Sequence, residues 1–204
     1  MRAYKRYVKR GFTLVELMIV IAIIGVLAAL AIYGVRRYLA SAKTSEAKNT
    51  IGAIARGAKQ SFERETAKSE LIGTGSGESS GANHALCDTA AAVPNGGPPQ
   101  GKKYQPATGN ADFDTGTAVA GWRCLKFSMT QAIYYQYLYT KGSSPVSAAI
   151  GGVPTVSAAE SFEAAAVGDL DGDTTPSRFA IVGEVDTANE MRVATQVSVG
   201  DEFE

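Results

Sequence analysis

The sequence predicts an α+β protein: a long N-terminal α-helix, apolar along its first half and amphipathic along its second, packed on an antiparallel β-sheet of about four strands. Three observations predict it. An apolar run from Phe12 to Tyr33 passes without a break into residues whose apolar positions recur at steps of three and four. A stretch rich in Gly, Ser, Pro and Asn then interrupts all periodicity as far as Gly121. Beyond it, short segments alternate polar and apolar residues, the period of a half-buried strand. A chain of 204 residues, 45% of them hydrophobic, is long enough for one domain with a real core plus an appendage.

The appendage comes first. Arg2, Lys5, Arg6, Lys9 and Arg10 stand within the first eleven residues without an acid among them, so the formal net charge of +0 hides an asymmetry. Without those five, 15 basic residues face 20 acidic ones, a net of −5. A body of that sign gives no electrostatic footprint for nucleic acid, and that class of partner is set aside. The run from Phe12 to Tyr33 is 22 residues long with Glu16 as its one charge. At about 1.5 Å per residue it extends roughly 33 Å, enough to cross a bilayer. Basic residues ahead of it keep the N-terminus cytoplasmic and send the long remainder outside, with Arg36 and Arg37 placed to snorkel just beyond the span. A secretory signal would have a shorter apolar core followed by its cleavage site; here the core is longer and the small-residue junction, Gly11, precedes it.

The helical pattern continues as an amphipathic half: Val35, Tyr38, Leu39 and Ala42, then Ile51, Ile54, Ala55, Ala58 and Phe62, with Lys43, Glu46, Lys48, Arg56, Lys59 and Glu63 on the polar face. One helix is expected from Phe12 to Arg64. Gly25, Gly34, Gly52 and Gly57 each cost about 1 kcal/mol against Ala in its interior, which points to a bend or an unwound turn near Gly25 or Gly34.

From Gly73 to Gly121 the composition reads as a long surface excursion with little regular structure. It holds His84, which has no catalytic neighbour and reads as an exposed loop residue. Strand signals follow in WRCLKFSM, IYYQYLY, SFEAAAVGDL, RFAIVGEVD and MRVATQVSV, joined by short turns that favour an antiparallel meander. In the second of these Ile133, Tyr135, Tyr137 and Tyr139 share a face; they could form a stacking platform, but sheet packing is the simpler reading. The amphipathic half of the long helix supplies the cover the sheet needs.

Two cysteines, Cys87 and Cys124, both fall on the side assigned outside the cytoplasm, where an oxidising compartment favours their pairing. Zinc ligation is excluded, because one histidine and two cysteines do not complete a site of N and S ligands. Asp169, Asp171 and Asp173 alternate like the first ligands of a calcium loop, but Thr174 and Ala180 occupy the places where that loop needs Gly and a bidentate Glu. An acidic hairpin turn is the preferred reading, with calcium as the second; no other cofactor is expected. No nucleophile elbow, phosphate loop or paired base occurs, so catalysis finds no support.

The segment KRGFTLVELMIVIAIIGVLAALAI, with basic residues before Gly11, Phe12 after it and Glu16 five residues into the chain that would begin at Phe12, resembles the type IV pilins. The resemblance is close from Lys9 to Ile32 and architectural beyond Glu46. It implies the type IV pilin fold and the following segments: 1–11, a leader removed on maturation; 12–34, the membrane and filament-core half of the helix; 35–65, its amphipathic half; 66–120, surface loops; 121–204, the sheet domain. It further implies cleavage between Gly11 and Phe12 by a prepilin peptidase, which also methylates the new amine of Phe12. Family members commonly carry proline where this chain has Tyr33, so any unwinding here must rely on the glycines.

Under that resemblance the chain is expected to be the major structural subunit of a pilus: a homopolymer extruded by an assembly platform with extension and retraction ATPases and an outer-membrane secretin, held in the inner membrane before assembly and extracellular afterwards. Attachment and twitching or gliding motility would follow from the fibre. A minor pilin or a type II secretion pseudopilin is the alternative within the family. A membrane-tethered periplasmic enzyme or binding module is the alternative from another class. Glu16 then has two readings. A carboxylate near the bilayer interior costs about 2.5 to 3.5 kcal/mol, so it either pairs with the N-terminal amine of Phe12 on a neighbouring subunit or lies close enough to the membrane face to reach water.

Overall fold

The computed structural model describes residues 11–64 and 84–203. The leader expected at 1–11 therefore lies outside the described residues except for Gly11, as do residue 65 of the expected amphipathic half and residues 66–83 of the expected loop region. The chain divides into two compact units, Met1–Ser41 and Ala42–Glu204.

In the first unit the helix α1 (Leu14–Glu63) begins. It is unbroken through Gly25 and Gly34. Its side chains from Leu14 to Leu39 are exposed, large apolar ones included. The expected stripe residues Val35, Tyr38 and Leu39 are among them, so the packed face begins later than the periodicity alone suggests. By length and composition this stretch is a candidate membrane span.

In the second unit the rest of α1 packs on a six-stranded antiparallel sheet: β1 (Ala90–Val93), β2 (Gln136–Lys141), β3 (Ser161–Gly168), β4 (Ser177–Val185), β5 (Met191–Val193) and β6 (Ser198–Gly200). The order is β1-β2-β3-β4-β5, with β6 also paired to β4. Ala47, Ile51, Ile54, Ala58 and Phe62 are buried from the helix side, at the three- and four-residue steps that put them on one face. From the sheet side Tyr135, Tyr137, Tyr139, Phe162, Ala164, Ala166 and Phe179 meet them, alternate residues of their strands. The tyrosine run is thus core, as the packing reading expected. Gly168 is where the Tyr135 ring rests; a Cβ there would lie 2.4 Å from the ring.

Three elements differ from expectation. WRCLKFSM is not a strand: Gly121–Leu125 form a short helix, α2, closed by Lys126 in the left-handed region at φ 52°. Its alternation was weak, and local ties decide its shape, with Trp122 Nε1 donating to the Ala91 carbonyl at 2.8 Å and the Trp122 ring edge-on to Phe113. MRVATQVSV splits into β5 and β6. Between the pairs Gly183↔Val193 and Ala180↔Ser198 the outer chain advances five residues for three on β4, a two-residue slip that interrupts the edge. Finally, the stretch read as surface loop supplies β1 and the buried residues Leu86, Cys87, Ala90, Val93 and Phe113.

The sheet's other face is also covered, which the sequence reading missed. A short helix α3 (Pro145–Ile150) lays Val146 and Ile150 over Ala165, Ala180, Leu138 and Val167.

Candidate functional site

The helix opens on a capping box. Thr13 precedes the first helical residue, and its carbonyl accepts the N–H of Leu17 at 3.2 Å. Its hydroxyl accepts the N–H of Glu16 at 3.2 Å, while its own N–H and hydroxyl donate to Glu16 Oε2 at 2.9 and 2.7 Å. Thr-x-x-Glu at this spacing satisfies two donors that a helix start otherwise leaves open, and it places a carboxylate at the positive end of the helix dipole. Glu16, singled out as an anomaly in an apolar run, is therefore tied to Thr13, a partner the sequence reading overlooked although its three-residue offset was legible. Both bonds donated by Thr13 reach the same oxygen, Oε2.

Gly11 and Phe12 stand exposed before the cap. Among the described residues, a Cβ at Gly11 would meet nothing within 4 Å.

Cys87 and Cys124 form a disulfide with Cα atoms 5.8 Å apart, joining the segment ahead of β1 to α2. The Tyr139 hydroxyl donates to the Cys87 carbonyl at 3.1 Å, and Arg64 Nη2 at the end of α1 donates to the Cys124 carbonyl. Nearby, His84 Nδ1 bonds the Phe62 carbonyl at 2.8 Å and its ring rests against Phe62. That histidine caps the end of the helix, and sequence spacing gave no sign of it.

Asp169, Asp171 and Asp173 do come together, each offering a carboxylate oxygen within 4.8 Å of the others. The loop uses these groups itself. Asp169, buried, accepts the N–H of Gly172 at 2.7 Å and of Thr174 at 3.1 Å. Asp171 accepts from Asp173 and Asp173 from Thr175. The turn chemistry of Asp and Gly accounts for this arrangement.

Comparison with known proteins bears on the N-terminal segment. Residues 6–32 match the family described as the prokaryotic N-terminal methylation motif. The chain is 55% identical over 47 residues to the fimbrial protein EcpC of Eikenella corrodens, covering 23% of this chain and 31% of that one. It is 58% identical over 45 residues to the type IV major pilin protein PilA of Myxococcus xanthus, covering 22% and 20%. To the type IV major pilin protein PilE1 of Neisseria gonorrhoeae it is 59% identical over 39 residues, covering 19% and 24%. The N-terminal segment of the chain is similar to that of the type IV pilins. The long helix packed on an antiparallel sheet agrees with the pilin fold. The matches span between 20% and 31% of these relatives' own length and do not reach the sheet domain. No solved structure matches the chain.

Proposed function

We propose that this chain is the major subunit of a type IV pilus, made as a membrane precursor, cut between Gly11 and Phe12, methylated at Phe12 and polymerised by pairing Glu16 with the Phe12 amine of a neighbouring copy. The observation that carries the reading is the capped carboxylate of Glu16 at the head of a fully exposed apolar helix. An exposed run of that length needs lipid or other copies around it. The cap holds the carboxylate through Oε2, and the other oxygen takes the incoming ammonium. Cleavage creates that ammonium, so maturation and assembly depend on one new charge. Desolvation cancels much of the attraction of such a pair, which makes it a device for register more than for net stability.

The partners in this reading are further copies of the chain, a prepilin peptidase, an assembly platform driven by extension and retraction ATPases, and an outer-membrane secretin. Attachment and surface motility are what the fibre would provide. The exposed, unconstrained Gly11 supports the cleavage point, since its small size matters only to an enzyme that must reach the backbone.

Intact-mass measurement of the purified mature chain tests the proposal. A chain that begins at methylated Phe12 is expected. A chain retaining Met1 in fibres, or no fibres at all, overturns it in favour of a tethered module.

A further inference from the structure

The fold treats the asparagines of this chain differently. Asn83 lies outside the described residues. Asn49 is held within α1, whose backbone cannot rotate there without losing helical hydrogen bonds. Asn110 and Asn189 precede residues that carry a Cβ, Ala111 and Glu190, and their own N–H groups are tied, to Asp114 Oδ2 at 2.9 Å and to the Asp186 carbonyl at 2.8 Å. Asn95 is exposed and is followed by Gly96, exposed as well, in the turn that leaves β1. A Cβ at Gly96 would meet nothing within 4 Å. Among the described residues, neither the Asn95 side chain nor the Gly96 N–H has a hydrogen-bond partner. The stretch is nonetheless anchored on both sides. Val93 is buried, Gln136 Nε2 donates to the Pro94 carbonyl at 2.7 Å, and Gly101 N–H donates to the Asp169 carbonyl at 2.8 Å.

We infer that Asn95 and Gly96 form a self-modification site, at which the side-chain amide of Asn95 is converted to a carboxylate with water as the only co-reactant. The Gly96 backbone nitrogen, once it has lost its proton to solvent, attacks Asn95 Cγ. A C–N bond forms, the bond from Cγ to the amide nitrogen breaks, and ammonia leaves with a proton taken from water. The five-membered imide that results is opened by water. Breaking the bond from Gly96 N to Asn95 Cγ gives aspartate; breaking the bond to the main-chain carbonyl carbon gives isoaspartate, with the backbone rerouted through Cγ. Nothing is oxidised or reduced: water enters and ammonia leaves. Asparagine is a labile residue, and what the fold adds is access, because Gly96 has no Cβ to shield its nitrogen and no acceptor to hold it. Glycine also follows Asp171, but there the Gly172 N–H is donated to Asp169 Oδ1 at 2.7 Å and Asp171 Oδ1 accepts the Asp173 N–H at 3.3 Å, so both groups that would react are held. Each conversion at Asn95 adds one negative charge to an exposed tip, and a population of subunits grows more acidic with time. The inference goes beyond the pilus reading and stands whether or not the chain forms a fibre.

Timed incubation of the full chain at mildly alkaline pH, followed by peptide mass spectrometry, tests this. Asn95 should acquire the mass of an acid several-fold faster than Asn110 and Asn189, at a rate that rises with pH, as a mixture of aspartate and isoaspartate. Isoaspartate is the signature of the imide, because direct hydrolysis of the amide gives aspartate alone. Asp171 should stay unisomerised over the same interval. G96A, which the open space at that position accommodates, should slow the conversion of Asn95 several-fold. Conversion of Asn95 no faster than that of Asn110, aspartate without isoaspartate, or a rate unmoved by G96A overturns the inference. Isomerisation of Asp171 as fast as the conversion of Asn95 overturns it too, since the hydrogen bonds at Gly172 and Asp173 would then protect nothing.

Discussion

The Glu163 carboxylate accepts the backbone N–H of Ser147 at 2.7 Å and that of Val146 at 2.9 Å, so one buried side chain holds α3 against the sheet. Glu163 is 1% exposed, and its position on β3 faces away from α1. Glu163→Ala removes both acceptors and leaves two buried amide donors unpaired, a loss of about 2 to 4 kcal/mol. Glu163→Gln keeps one oxygen and should cost less. Hydrogen exchange should speed up at Val146 and Ser147 while the buried face of α1 stays protected; unchanged exchange there would dismiss the anchoring role.

A tighter constraint operates where α1 passes α2. A Cβ on Gly57 would lie 2.7 Å from the Leu125 carbonyl oxygen, backbone that has nowhere to go. Gly57→Ala is therefore expected to destabilise by about 1 to 3 kcal/mol although alanine is the better helix former. Gly52→Ala, whose Cβ would find only the Arg56 side chain at 3.6 Å, should stabilise by up to about 1 kcal/mol. Thermal melts of the two variants should move in opposite directions, and a shared direction refutes the close-approach argument.

Cys124→Ser opens a loop closed over a sequence separation of 37 residues. The chain-entropy model puts the loss at about 4 kcal/mol, and the Tyr139 and Arg64 bonds to the two cysteine carbonyls lose their shared frame. Lower melting temperature and faster proteolysis of the described stretch from His84 to Leu125 are expected. A variant as resistant as the parent would show that the buried residues around Phe113 and Trp122 hold the segment unaided.

Half-buried Glu46 has its carboxyl raised above the ordinary carboxylate range, first by desolvation, with Lys103 opposing. A folded value above the unfolded one favours the protonated group, so its contribution to stability is full below the unfolded value and is lost as pH rises through the folded one. Glu46→Gln should accordingly stabilise at neutral pH, with the difference from the parent shrinking as the medium is acidified past that range. A difference independent of pH would assign the effect to something other than ionisation.

Glu16→Leu tests assembly. Insertion into the membrane should be as good as before and cleavage should continue, but an incoming Phe12 ammonium would be buried without a partner, a defect of about 3 kcal/mol or more per subunit. Mature membrane-embedded monomer without sheared fibres is expected. Fibres at parental yield would leave Glu16 as a residue that merely reaches water.

How far the sequence could be read follows from where each signal resides. The long helix was legible because an apolar run passes directly into an amphipathic pattern over some fifty residues, β2 and β4 because alternation and aromatic residues coincide there, and β3 as a small apolar run before the Asp171-Gly172 turn. The pairing of Cys87 with Cys124 followed from compartment and count. The capping box is present in the sequence as Thr13 and Glu16, three residues apart. What was illegible depends on contacts distant in sequence: α2 is set by Ala91 and Cys87, α3 by Glu163, and the His84 cap by Phe62. The interruption between β5 and β6 exists only in relation to β4, and no pattern within MRVATQVSV announces it.

That interruption has a consequence at the scale of a polymer. A sheet ending in one long regular strand offers a template on which another chain can add itself, and a fibre would display that template once for every subunit along its length. Here the outer row is two three-residue pieces separated by a two-residue slip, and Arg192, paired in register with Glu184, stands on the outermost piece. The ladder is too short and too broken to recruit a neighbour's strand. In the proposed fibre, copies crowded along this edge would remain separate folded bodies.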